Sequence, residues 1–179
     1  MNMAGQIALD AAGQSAWLTL LQARSTVLDG IEDDLRRAGD IPLPWVEVLL
    51  QVVNGDGGRL KMQDVAKYLL LSKSGVTRLI DRMVEAGMIA REPHETDRRI
   101  VYATATAQGR EALRRALPAF SESLNRHFVT VLTQTELRVL AATLSKVVDA
   151  AGVPPTACPT SIPPPTGAAE RKSRARSRS

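Results

Sequence analysis

Lys73, Ser74, Thr77, Arg78 and Arg82 fall within ten residues, and every one of them can donate hydrogen bonds. Between and after them stand Val76, Leu79, Ile80 and Met83, at the three- and four-residue spacing of one helix face. A helix built on that pattern turns the apolar four inward and forces the donors outward, with Asp81 among them. Ser72 just upstream is a suitable N-cap. Arginine offers a fork that fits the edge of a guanine, while serine, threonine and lysine contact bases or phosphates. The helix N-terminus itself favours a phosphate. The chemistry on offer is recognition of anions and base edges, not bond making. Any solvated amphipathic helix has a polar outward face, however, so this stretch alone does not decide the matter.

The elements around it do. Trp17, Leu21, Leu28, Ile31 and Leu35 mark an amphipathic helix over about Gln14 to Arg37. Pro44 opens a second helix whose Val46, Leu49, Leu50 and Val53 share a face, and "NGDGG" ends it as a turn. A short third helix is expected over roughly Met62 to Leu70, and the fourth begins after Ser72 and stops at Gly87. There the period changes: "MIAREP" and "RIVYATAT" read as two strands joined by "HETDRR". Thr106 caps a fifth helix, which Pro118 should bend, and Thr133 caps a sixth with Leu137, Leu140, Ala141, Leu144, Val147 and Val148 on one side.

Two short helices followed by a two-stranded hairpin make a winged helix-turn-helix. A helix fits the major groove of B-DNA, and Asp97, Arg98 and Arg99 at the hairpin tip can place arginine in the adjacent minor groove, with Asp97 orienting an arginine. The expected fold is mainly α with a small β-hairpin wing. Residues 1–54 form a dimerisation helix and a support helix, 55–106 the DNA-binding region, 107–152 C-terminal dimerisation helices, and 153–179 a disordered tail. The first and sixth helices each carry an apolar face that a small winged helix cannot cover, which predicts a homodimer reading an inverted repeat.

The stretch "LLLSKSGVTRLIDRMVEAGMIAREPHETDRRIVYATATAQGREAL" resembles the DNA-binding region of the multiple-antibiotic-resistance regulator (MarR) family. The serine-containing turn, "TRLIDRM", "GMIAREP", the Asp97-x-Arg99 pair and the exit "ATATAQGREAL" carry the likeness, although "YATAT" lacks the leucine usual before the threonine. The resemblance implies a homodimeric, ligand-responsive DNA-binding regulator, more often a repressor. Ser72, Ser74, Thr77, Arg78 and Arg82 match its recognition helix, and Asp97 and Arg99 match its wing. It also implies a small aromatic or phenolic effector, for which Trp17, Trp45 and His127 are weak candidate contacts, since the two tryptophans suit the core or an interface better and His127 a plain helix face. The competing readings are a protein-interaction module and a nonspecific nucleoid protein.

Other chemistry finds little support. One cysteine, Cys158, and two histidines, His94 and His127, are too far apart in sequence for a metal site. His94 is expected to be solvated or to touch phosphate. "NGDGGRLK" lacks the ending of a phosphate loop, and no nucleophile–base pair is local, so neither catalysis nor a cofactor is expected. No secretory signal or membrane-length apolar run is visible. A bacterial cytoplasmic location is therefore expected, on the nucleoid when DNA is bound.

The net charge of +4 at neutral pH belongs entirely to residues 153–179, which hold five basic residues and one acid. Residues 1–152 are neutral, but unevenly so: Met1 to Asn54 has three basic residues against seven acids, and Arg59 to Arg82 has six against two. The proline-rich, then basic, tail has almost nothing to bury and is expected to stay disordered, free to contact phosphates beside a specific site. Deleting Glu170 to Ser179 should lower the slope of log affinity against log salt by up to roughly 0.9 for each phosphate that the tail neutralises. Base preference should survive. Unchanged slope and affinity in a salt titration would make the tail a passenger.

Overall fold

The computed structural model describes residues 10–68, 73–94, 96–97 and 99–152. The expected cap Ser72, the wing residue Arg98 and the tail from 153 lie outside the described residues. Among the described residues, six α-helices and a three-stranded antiparallel sheet follow in the order α1 (Ala11–Arg37), α2 (Leu43–Asn54), β1 (Arg59–Lys61), α3 (Met62–Tyr68), α4 (Lys73–Glu85), β2 (Ile89–Pro93), β3 (Val101–Ala105), α5 (Ala107–His127) and α6 (Gln134–Ala150). Among the described residues no helix is long and apolar enough to cross a membrane.

Local chemistry sets the boundaries. Asp10 caps α1 through the Gly13 N–H, and Thr106 caps α5 through the Gly109 N–H. Thr133 and Glu136 form a reciprocal capping box on α6. After α4 the chain turns at Gly87, whose φ is 70°, a left-handed conformation that favours glycine. Pro118 lies inside α5, where it leaves one helical hydrogen bond unmade.

The core forms around α2. Val46, Val48, Leu49, Val52 and Val53 are all at most 2% exposed, so this helix is covered on more than one side, by α1, α3, α5 and the sheet. The α4 anchors Val76, Leu79, Ile80 and Met83 join the same cluster with Ile89, Ala103 and Leu113. Burial of each large side chain is worth about 1.5 to 3 kcal/mol. The expected hairpin is present, pairing Ile89 with Ala105 and Pro93 with Val101. A third strand, in a stretch whose glycines suggest only a turn, pairs Arg59 with Thr104 and Lys61 with Tyr102. The sheet order is β1-β3-β2.

Two junctions hold α5 in place. At its start, the Thr106 hydroxyl donates to the Gly87 carbonyl at 2.6 Å and the Thr106 N–H to the Met88 carbonyl at 3.1 Å. Gly109 lets the backbones meet, because a Cβ there would sit 2.0 Å from the Met88 oxygen. Near its end, Asp34 of α1 accepts from the buried Ser123 hydroxyl at 2.8 Å, from Arg126 at 3.1 Å and bonds His127 Nε2 at 3.0 Å.

The Ser123 hydrogen bond foremost, then that of His127, holds the Asp34 carboxyl below the usual carboxylate range. A depressed carboxylate stabilises the fold above its unfolded pKa, and that contribution is lost as pH falls through the folded value. Asp34→Asn should therefore lower the melting temperature at neutral pH and flatten its fall below about pH 4. Ser123→Ala should cost roughly 1 to 3 kcal/mol, the worth of a hydrogen bond to a charge. Thermal melts of both variants between neutral and acid pH check this. A variant Asp34→Asn that melts like the parent at both ends would refute the link.

Candidate nucleic-acid interface

The α4 anchors leave one face outward. Val76 and Leu79 are 3% and 4% exposed, and Ile80 and Met83 are fully buried, whereas Thr77, Arg78, Asp81 and Arg82 are exposed. Lys73 and Ser74 form the first turn of the same helix. The periodicity thus sorts Thr77, Arg78, Asp81 and Arg82 outward as the sequence indicates. Among the described residues, the guanidinium groups of Arg78 and Arg82 enter no ion pair, so both are available to an outside acceptor.

The hairpin stands beside this helix and is tied to it. Arg91 on β2 forms a salt bridge with Asp81 of α4. Both groups are partly exposed, so the pair joins the wing strand to the helix but adds little stability. Sequence reasoning missed Arg91. An ion pair across two elements leaves no periodic signal.

At the wing tip Asp97 and Arg99 are exposed. The Asp97 carboxylate accepts the Arg99 backbone N–H at 3.0 Å, and the Asp97 carbonyl accepts the Ile100 N–H at 3.0 Å. Asp97 therefore orients the arginine through the main chain, not by gripping its guanidinium. On the outer sheet face the Arg59 guanidinium lies 4.5 Å from the centroid of the Tyr102 ring. That face also carries a cleft of about 480 Å³ lined by Gly57, Gly58, Arg59, Glu92, Thr104 and Arg110, among others.

The three residues expected to touch an effector stand apart from that cleft. Trp17 is 55% exposed on α1, Trp45 is half-buried at the start of α2 against the core, and His127 is bonded to Asp34. His127 also packs over α1, where a Cβ on Gly30 would come within 2.9 Å of its ring. Ser123, His127 and Asp34 bring serine, histidine and aspartate together, but serine and histidine both bond the same carboxylate. A base that does not reach the hydroxyl cannot activate it. Among the described residues no group of three or more His, Cys, Asp or Glu could hold a metal.

Comparison with known proteins agrees with this arrangement. A model of the MarR family matches residues 39–100, the segment from α2 to the wing. The MarR family transcriptional regulator AbsC from Streptomyces coelicolor is 31% identical, with a TM-score of 0.71 over 79% of this chain and 95% of that one. Sco3205 from the same organism, a MarR family transcriptional regulator solved in complex with DNA, is 26% identical, with a TM-score of 0.72 over 83% and 96%. BpsR of Bordetella bronchiseptica, whose DNA binding is regulated by 6-hydroxynicotinic acid, shares the fold at 20% identity, with a TM-score of 0.67 over 79% and 98%. The order of elements, the outward donors of α4 and the likeness to AbsC over nearly that whole chain lead to one assignment: this protein belongs to the MarR family of winged helix-turn-helix transcriptional regulators.

Proposed function

We propose that the chain works as a homodimer that represses transcription by reading an inverted repeat. In this reading α4 enters the major groove with Ser72, Lys73, Ser74, Thr77, Arg78 and Arg82, and the wing lays Arg98 and Arg99 along the adjacent minor groove, braced by Asp97. The observation that carries it is the pairing of a donor-rich, outward α4 face with apolar surface that the single chain leaves open. Trp17, Leu18, Leu20 and Leu21 of α1 are 40% to 56% exposed, and Val139, Val147 and Val148 of α6 are 40% to 64% exposed. α6 buries none of its residues. A capped helix with an apolar stripe and no buried residue has the composition of half an interface. Sco3205, the DNA-bound relative, supports DNA as the partner.

The reading includes a small aromatic or phenolic effector that shifts the spacing of the two α4 helices. The regulation of BpsR by 6-hydroxynicotinic acid supports it, and Trp17, Trp45 and His127 are the contacts to test.

Selection from random duplexes should enrich an inverted repeat, with half-sites about one helical turn apart or a multiple of it, and sedimentation should give a dimer. Enrichment of no sequence favours a nonspecific nucleoid protein, and no DNA binding at all favours a protein-interaction module.

At the level of residues, Arg78→Ala or Arg82→Ala should remove about 1 to 3 kcal/mol of discrimination at the base it contacts. Arg99→Ala should weaken binding and flatten the preference for narrow-groove A·T steps. Binding isotherms on matched and mismatched operators check this. Three folded variants with parental affinity and specificity would overturn the docking.

A further inference from the structure

We propose that the neutral side chain of His94 is a positioning residue for the wing, and that protonating it releases the turn carrying Asp97 and Arg99 and weakens DNA binding. This rests on the reading above that the wing meets DNA.

His94 is the first residue after β2, and its N–H donates to the Ile100 carbonyl at 2.9 Å, closing the base of the wing. Its ring then turns back into the loop. Nδ1 accepts the Thr96 N–H at 3.2 Å and the Asp97 N–H at 3.2 Å, with the Thr96 hydroxyl also 3.2 Å away. Only an unprotonated ring nitrogen accepts an N–H, so this arrangement puts the histidine proton on Nε2. The ring stacks on Tyr102, with centroids 5.9 Å apart and planes at 28°, and Tyr102 lies under the Arg59 guanidinium. A relay therefore runs from β1 through β3 to the wing tip. Its last link is Asp97, whose N–H is held by His94 while its carboxylate holds the Arg99 N–H.

A proton on Nδ1 would turn the acceptor into a donor facing two backbone N–H groups. Both hydrogen bonds would break, and the loop would have to rearrange around a cation. Among the described residues, the charged groups around the ring are Asp97, whose N–H it accepts, and Arg59 of β1 on the stacked Tyr102. Lys61 and Glu92, the register partners of Tyr102 on β1 and β2, carry opposite charges. A histidine that merely met a phosphate would strengthen binding on acidification, because the cation attracts the anion. The clasp predicts the reverse slope, so the sign of the pH dependence separates the two.

The test uses the full chain. In nitrogen-15 spectra followed from about pH 8 to about pH 5, where histidines change charge, the His94 ring and the Thr96 and Asp97 amides should shift together. Over the same range, affinity for the selected operator should fall roughly three- to tenfold, as the loss of one or two such bonds would give. His94→Asn supplies an acceptor that does not titrate. It should bind like the parent near neutral pH and lose the acid-side decline, leaving only what His127, the one other histidine, contributes. Amides that do not follow the ring overturn the proposal whatever happens to DNA. So does affinity that holds or rises on acidification. In that last case Arg99→Ala decides how far the failure reaches: weakened binding leaves the wing on DNA and removes only the clasp, and parental binding removes the wing as well.

Discussion

The end of α4, the start of β2, the end of β3 and the start of α5 all meet at one backbone junction. Thr106 bonds the Gly87 and Met88 carbonyls, Gln108 donates to the Ala86 carbonyl at 3.2 Å, and Gly109 lies against Met88 with no room for a side chain. The partly buried Thr106 groups resist displacement, because moving them would leave polar atoms without a partner. The orientation of α4 relative to the wing follows from it. The Asp81–Arg91 pair adds a second, exposed tie between α4 and β2. With both in place, the outward donors of α4 and the wing tip form one surface, not two appendages.

As the proposed DNA interface, that surface has to attract an anion although residues 1–152 carry no net charge. Segregation makes this possible. The acids of α1 are spent internally or near its C-terminal end, where Asp33 and Asp34 pair with Arg36 and Arg37 and Glu32 accepts the Leu43 N–H at 2.7 Å. The segment from Arg59 to Arg82, by contrast, holds six basic residues against two acids. Local field, not total charge, governs which partner approaches which face.

Much of this is legible in the sequence, for definable reasons. α4 is readable because burial of Val76, Leu79, Ile80 and Met83 forces Thr77, Arg78, Asp81 and Arg82 outward, and periodicity reports burial directly. The caps Thr106 and Thr133 are readable because a capping side chain acts within three residues of itself. β1 is not, since three residues beside a run of glycines are too short to show alternation, and their strand character exists only through pairing with β3. His94 illustrates the same limit. Its type and loop position suggest contact with solvent or phosphate, whereas its ring is held by Tyr102 and two wing N–H groups. Interactions between elements distant along the chain leave no local trace. The apolar stripe of α1 is visible as a stripe, but its two ends differ: Ile31 and Leu35 are buried within the chain while Trp17 and Leu21 are not.

The two junctions of α5 also make it a lever. It runs 21 residues, about 31 Å at the helical rise, from the Thr106–Met88 junction to the Asp34 cluster. A tilt of about 5° at one end would carry the other end through nearly 3 Å, comparable to the spacing of one base-pair step. A displacement of α1 against the end of α5 would therefore reach the α4 junction along one rigid helix, and the stiffness of that single helix limits how faithfully it is passed on.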